Sequence, residues 1–360
     1  MNICFITMGP YWMPGVGRYS RTRELMKVLR RHGQIRVLFL ARLDEPYWQA
    51  WNLAQYPEQL VRLAMPEVSL PENRRAALVE YFASNPPADL YMVDKTEISD
   101  TLDGLPEDGE KWVDTHDLVS ERTRKLVGRE AVETDPMTAP DEAAVLKRYD
   151  KVICIQRDEA ALVANWVGAE RTLLASHAVA VSPKPIENPP LNIGFVASGW
   201  HANAYGLRDF VRHVWPTVRQ SGAALHVYGT VCDTISARIP AVTFHGFQED
   251  IEACYENLDI VINPVQYGAG LKIKTVEALA RGLPVVTSRE GASGLEHLDG
   301  RALLIADDWQ SFAGHLSRLV NNYEACRSLG DAALAFATRQ LAPDACYAEV
   351  EKALTRLASI

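Results

Sequence analysis

No stretch of this sequence approaches the ~18 consecutive apolar residues of a bilayer-spanning helix, so no membrane-spanning segment is expected. Cysteine is sparse and scattered. Cys4, Cys154, Cys232, Cys254, Cys326 and Cys346 show no close pairing, which argues against a zinc site and a disulfide framework and fits a reducing cytoplasm. The basic surplus of a nucleic-acid binder is also missing, with 37 Lys and Arg against 46 Asp and Glu, a formal charge of −9; no nucleic-acid partner is expected. The opening MNICFITMGP lacks basic residues ahead of its apolar run and reads as a strand rather than a secretory signal. Low complexity is absent too, since 48% hydrophobic and 23% charged residues are ordinary for a globular chain that can bury a core.

What is present is alternation. The 360 residues lean towards two domains. Short apolar runs at Ile3–Met8, Ile35–Leu40, Leu90–Val93, Lys111–Asp114 and Val152–Ile155 alternate with helix-length amphipathic stretches such as Arg18–Arg31, Glu72–Ala83 and Asp158–Trp166. That pattern predicts an α/β fold with parallel strands covered by helices on both faces. Four prolines crowd Ser182–Pro190, and proline removes backbone donors and restricts its predecessor, so a stiff extended linker is expected there. The alternation then restarts, with strands at Asn192–Ala197, Leu225–Tyr228, Val242–Phe244, Ile260–Asn263, Pro284–Thr287 and Ala302–Ile305, and helices at Gly206–Arg219 and Pro343–Leu357. The expected organisation is therefore a first doubly wound domain over 1–186, a second over 187–342, and a closing helix over 343–360 returning towards the first. Ligands of such sheets bind at the carboxyl ends of the strands, which places the expected site in a central cleft.

The most informative stretch is Gly268-Ala-Gly-Leu-Lys-Ile-Lys-Thr-Val-Glu277 and its continuation to Val286. A strand ending near Asn263 leads through a glycine-bearing turn into a helix expected to start near Leu271. Free amides and the helix dipole at such an end attract anions. Gly268 and Gly270 let an anion approach the backbone, and Lys272 and Lys274 add positive charge beside it. Glu277, at i+3 from Lys274, is placed to accept from a ribose diol. Together these describe a nucleoside-diphosphate pocket. The plainer account is a buried helix with a Lys274–Glu277 salt bridge.

This stretch resembles the retaining nucleotide-sugar glycosyltransferases of the two-Rossmann-domain (GT-B) fold, glycosyltransferase group 1. The resemblance extends to Gly194–Leu207, Trp215-Pro216, Leu225–Gly229 and Phe244–Ile251, and is much thinner over 1–186. It implies that Glu277 binds ribose, that Gly270 and Leu271 donate backbone amides to the diphosphate, that Gly246 and Phe247 form the turn beside the base, and that Ser198-Gly199 faces the phosphates. Two departures stand out. Ala269 occupies the place of a first glutamate that contacts the donor sugar in many relatives, and Ser198 with Ala204 or Tyr205 roughly replaces a usual Arg and Lys. Lys272 and Lys274 are expected to supply the missing charge to the departing diphosphate.

In the first domain, Asp114-Thr-His116-Asp117 follows an apolar strand. By resemblance His116 is the histidine at the edge of the donor sugar; a lone histidine is more often structural, and the strand-end context together with the resemblance brings the two readings level. Asp114 and Asp117 either orient the imidazole or cap the next helix. Gly15-Val-Gly17-Arg18 forms a weak glycine loop; the resemblance sets Gly17 by the donor phosphate and Arg18 on the acceptor side, while a solvated arginine is the plain alternative. Residues 1–43 hold eight Lys and Arg against Glu24 alone: a basic head for an anionic ligand or peripheral membrane contact, or simply a solvated helix face. Tyr47, Trp48, Trp51 and Tyr56 cluster nearby, suited to sugar faces, membrane interfaces or plain packing. No Asp-x-Asp occurs, so neither metal nor other cofactor is expected. The resemblance thus implies a retaining transferase, expected from the missing Asp-x-Asp to be metal-independent and from the cysteines to be cytoplasmic, with peripheral contact at the inner face of the membrane as an option. It would move a sugar from a nucleotide-diphosphate sugar, UDP favoured, to a hydroxyl of a glycan, lipid-linked or protein acceptor. A non-catalytic nucleotide-sugar binder and a nucleotide-sugar epimerase of the same fold are the alternatives.

Overall fold

The computed structural model describes residues 1–13, 17–46, 56–126, 136–235, 237–268 and 270–359, the side chains of Gly17, Arg18 and Leu126 excepted. The chain divides into two compact units. The first comprises Met1–Arg124, Thr134–Ser176 and Tyr347–Ile360; the second comprises Lys125–Glu133 and His177–Cys346.

In the first unit the elements run β1 (Asn2–Thr7), α1 (Gly17–Arg30), β2 (Gln34–Arg42), β3 (Gln59–Met65), α2 (Pro71–Ser84), β4 (Leu90–Asp94), β5 (Glu110–Asp114), α3 (Val119–Leu126), α4 (Ala139–Leu146), β6 (Lys151–Cys154), α5 (Arg157–Val167) and β7 (Thr172–Leu174). The strands form one sheet in the order β3-β2-β1-β4-β5-β6-β7, parallel throughout. Every residue of β4 is buried, as a parallel strand covered on both faces requires, and this is why the inner strands read as continuous apolar runs. The edge strands β3 and β7 were not expected from the sequence. β3 is mostly half-buried and β7 spans only three residues, so neither carries the unbroken apolar signature of an inner strand.

The second unit runs β8 (Asn192–Val196), α6 (His201–His213), α7 (Trp215–Val218), β9 (Ala224–Tyr228), β10 (Val242–Gly246), α8 (Ile251–Tyr255), β11 (Ile260–Asn263), α9 (Ile273–Ala280), β12 (Val285–Ser288), β13 (Leu304–Ala306), α10 (Trp309–Val320), α11 (Tyr323–Gln340) and α12 (Pro343–Cys346). Its parallel sheet has the order β10-β9-β8-β11-β12-β13. The helix expected over Gly206–Arg219 starts earlier and breaks at Val214, because Pro216 lacks an amide to continue the ladder and sits instead in the first turn of α7. The expected closing helix also divides. Its second part, α13 (Ala348–Leu357), completes the first unit. There Glu349 accepts the amide of Leu174 at 2.7 Å, and Glu351 pairs with Arg31 at 3.1 Å and with His32.

The division between the units falls at Ser176/His177, ahead of the proline-rich stretch. That stretch is not a free linker. Ser182 and Lys184 donate their amides to Ala280 and Arg281, each at 3.1 Å, and Glu187 donates to Asp259 at 2.9 Å. Prolines kept the segment extended, and its remaining donors strap it onto the second unit.

Both sheets reverse their winding beside their first strand, between β1 and β4 and between β8 and β11. At such a switch point the following loops part to opposite faces and leave a crevice at the carboxyl ends. In the second unit α6 lies unusually close to the chain leaving β11: a Cβ on Gly206 would come within 2.7 Å of the Pro264 carbonyl, so the glycine permits the approach.

Candidate functional site

In the second unit, Asn263 at the end of β11 anchors the glycine turn from below. Its Nδ2 donates to Thr275 at 3.0 Å and to the Gly291 carbonyl at 3.2 Å, while Thr275 and Thr287 donate to Gly291 and Asn263 carbonyls at 2.9 and 3.0 Å. Above this lattice Gly268 and Gly270 take φ of 144° and 65°, a region open to glycine without penalty. A Cβ at 268 would also press on Trp200 at 3.0 Å. The turn consumes two residues more than expected: α9 starts at Ile273, with Lys272 extended at the N-cap position and making no side-chain cap. Its first amides are thus not covered by their own cap residue, the condition that favours an anion there. Ala269 lies outside the described residues.

The two lysines part ways. Lys272, 7% exposed, donates to Glu290 at 2.8 Å and to the Gly270 carbonyl at 3.0 Å. Lys274 makes no salt bridge with Glu277 among the described residues; it donates to the amide oxygen of Asn203 at 2.8 Å. Asn203, on α6, donates in turn to the Ser198 carbonyl at 3.0 Å. This chain crosses the switch point and ties the loop after β8 to α9. With burial first and the Lys272 charge second, the Lys274 ammonium is pushed down to about 7. Ser198-Gly199 is held from the other side by Thr230, whose hydroxyl accepts the Gly199 amide at 2.7 Å.

Glu277 is half-buried. Its Oε2 accepts the Tyr255 hydroxyl at 2.9 Å, and Oε1 has no partner among the described residues. Burial raises its carboxyl above the usual range, against the opposing pull of Arg281, Tyr255 and Lys274. At the ends of β9 and β10, Gly229 donates to Gly246 at 2.8 Å, Tyr228 stacks on His245 at 4.2 Å, and Phe247 is 48% exposed, an open aromatic face. Beyond β12 and β13 a cavity of about 520 Å³ is lined by Gln266, Ser288, Glu290, Asp308 and Trp309 among others.

In the first unit His116 follows β5 and reaches the end of β4, which borders the switch point. Its backbone sits at φ 59°, a left-handed conformation that costs a side-chain-bearing residue about 1 kcal/mol or more. Nε2 meets Asp94 Oδ1 at 2.7 Å; since a carboxylate only accepts, the ring donates. Asp94 Oδ2 accepts the Thr7 hydroxyl at 2.6 Å. Burial works to raise the Asp94 carboxyl, but the His116 charge and the two hydrogen bonds outweigh it and hold the group below its ordinary value. Nδ1 of His116 has no partner among the described residues.

Each of the flanking aspartates is held by an arginine. Asp114 lies 3.6 Å from the imidazole but takes a paired grip from Arg21, at 3.0 Å from Nε and 2.6 Å from Nη2. Asp117 pairs with Arg122 at 2.8 Å. The start of α3 is capped by Glu142, which accepts the amides of Val119 and Ser120 at 2.8 and 2.9 Å. The sequence reading missed Asp94, Tyr255, Asn203 and Glu142. Asp94 alone left a signal, a charged residue closing an apolar strand.

Only part of the basic head faces solvent among the described residues: Lys27 and Arg31 are exposed, and the other cations described on α1 are turned inward or paired. Arg21 is 1% exposed; Arg23 donates to the carbonyls of Tyr11 and Met13 at 2.7 and 3.1 Å; Arg30 pairs with Glu58 and Lys27 with Glu24 at 2.6 Å. Counting charges along the helix overlooked this pairing. α1 begins at Gly17, but Gly15, the Arg18 side chain, and Tyr47, Trp48 and Trp51 lie outside the described residues.

The family described as Glycosyl transferases group 1 matches residues 190–322, inside the second unit. An uncharacterized 44.6 kDa protein in the cps region of Klebsiella pneumoniae is 24% identical over 202 residues, 52% of either chain; the match spans about half that relative's length. Among solved structures, sucrose-phosphate synthase from Thermosynechococcus elongatus superposes with a TM-score of 0.75 at 16% identity, over 100% of this chain and 99% of that one. Anabaena HepE, solved with UDP and glucose, gives 0.69 at 14% identity over 99% of each chain. WaaG, a glycosyltransferase involved in lipopolysaccharide biosynthesis, gives 0.67 at 14% identity over 99% of each chain. At such identities the likeness speaks for the fold, two doubly wound units of the GT-B type.

Proposed function

From a chain whose second unit carries a group 1 glycosyltransferase domain on a GT-B fold, we propose that this protein transfers a sugar from a UDP-sugar to an acceptor hydroxyl with retention at the anomeric carbon. The observation that carries the reading is the grouping on α9: a glycine turn, an uncapped helix start, two lysines and a carboxylate with one open oxygen. That set accepts a diphosphate at one end and a ribose diol at the other.

In this reading the bond from the anomeric carbon to the diphosphate oxygen breaks, the acceptor oxygen bonds to the same face, and the acceptor proton leaves with the diphosphate or to solvent. Lys274 and the α9 amides meet the charge that grows on the departing diphosphate. Lys272, held by Glu290, contributes from a fixed place. Glu277 holds the ribose. In the first unit, the open Nδ1 of His116 supports its reading as a group that holds a sugar hydroxyl, with Asp94 fixing the ring. Phe247 offers its exposed face to the base. No divalent metal is required in this scheme.

Incubation with UDP-sugars and candidate acceptors, followed by anomeric NMR of the product, tests the reading. Acceptor-dependent UDP release with the donor's configuration kept is the expected result. Binding without release would leave a nucleotide-sugar binder, and a free epimerised donor would reveal an epimerase.

A further inference from the structure

Tyr255 is 1% exposed and lies on a five-residue helix, α8, outside every motif that marks the site in the sequence. A buried tyrosine hydroxyl needs a hydrogen-bond partner, and any backbone carbonyl would serve. Here the partner is the Glu277 carboxylate, at 2.9 Å. The ring itself is clamped. The Arg281 guanidinium lies 4.3 Å from its centroid, within the range of a cation–π contact. Arg281, 3% exposed, is held by Glu252 on the same short helix and by the Glu277 carbonyl at 2.7 Å. The hydroxyl therefore has little freedom, and the carboxylate bound to it cannot rotate without losing that bond. One of the four lone-pair sites of the carboxylate is used; Oε1 stays open.

We propose that Tyr255 is a positioning residue for the nucleotide: by fixing Oε2 of Glu277 it aims the carboxylate at the ribose hydroxyls of a nucleoside diphosphate. The inference rests on the assignment of Glu277 to the ribose. It adds that the orientation of this carboxylate is set from α8, through a hydroxyl and a stacked guanidinium, rather than by α9 alone. A carboxylate free to turn would meet the diol in many orientations and lose affinity in ordering itself.

The test compares UDP with its 2′,3′-dideoxy counterpart by calorimetric titration. The wild type is expected to prefer UDP. Tyr255→Phe is expected to narrow that preference about tenfold, because the released carboxylate must order itself on the diol, while affinity for the dideoxy compound stays unchanged. Glu277→Ala is expected to abolish the preference. An equal loss for both ligands in Tyr255→Phe, or an intact preference, overturns the proposal and leaves the tyrosine a packing residue. A wild type without any preference overturns the ribose assignment itself, and the role of Tyr255 with it. Should Tyr255→Phe not fold, Arg281→Lys keeps the hydroxyl, removes the planar guanidinium from the ring, and must narrow the same preference.

Discussion

Lys274 offers the sharpest quantitative test of the anion site. Its ammonium sits half-buried with one neutral acceptor, Asn203, and burial with the Lys272 charge brings it to about 7. In the free protein it is thus about half charged at pH 7 and about one-tenth charged at pH 8. A diphosphate placed beside it favours the charged form and raises its pKa, so binding takes up a proton wherever the free group is neutral. The sign follows: affinity falls as pH rises above 7. If bound diphosphate requires the ammonium, Kd for UDP grows about fivefold from pH 7 to 8 and about tenfold from pH 8 to 9. The second ionisation of the phosphate, near pH 6, is about nine-tenths complete where this window opens, and Tyr255 titrates well above the ordinary tyrosine value. Calorimetric titrations in two buffers of different ionisation enthalpy count the protons directly; about 0.9 should be taken up at pH 8. Lys274→Met should bind more weakly at pH 7 with no slope and no proton uptake. A wild-type Kd that stays flat between pH 7 and 9 would refute the placement of Lys274 at the diphosphate.

Glu277→Ala should weaken UDP by roughly 1.5–3 kcal/mol, since a charged acceptor of the ribose is lost; unchanged affinity in a folded variant counts against the assignment. Neutralising Lys272 and Lys274 together should depress kcat more than it weakens binding of the nucleoside alone, because charge on the diphosphate grows towards the transition state; single-turnover kinetics with full activity would assign the charge elsewhere. Turnover should persist in a chelator, and its loss with recovery on adding magnesium or manganese would show a metal requirement. Arg21→Leu strands the Asp114 carboxylate, 1% exposed, and should cost about 3–5 kcal/mol in denaturant unfolding of the first unit; a loss under about 1 kcal/mol would mean that the pair contributes little.

The sequence by itself determined the alternation of inner strands and helices, and with it two parallel sheets, because buried strands must read as continuous apolar runs. It also placed the glycine turn, Lys272, Lys274 and Glu277 on one short segment, since these neighbours lie within two helical turns and need no distant partner. Tertiary structure decided what each group does. Asp94 reached His116 and Thr7, 87 residues apart from the latter, because the winding reversal sets β1 beside β4. Arg21, counted as part of a basic face, turned inward to Asp114, 93 residues away. Tyr255 came to Glu277 from another helix, and Asn203 drew Lys274 away from the salt bridge its spacing suggested. Periodicity records which face of an element is buried. It carries no information about which polar group waits across the crevice, and in a low-dielectric site that partner sets orientation, charge and pKa.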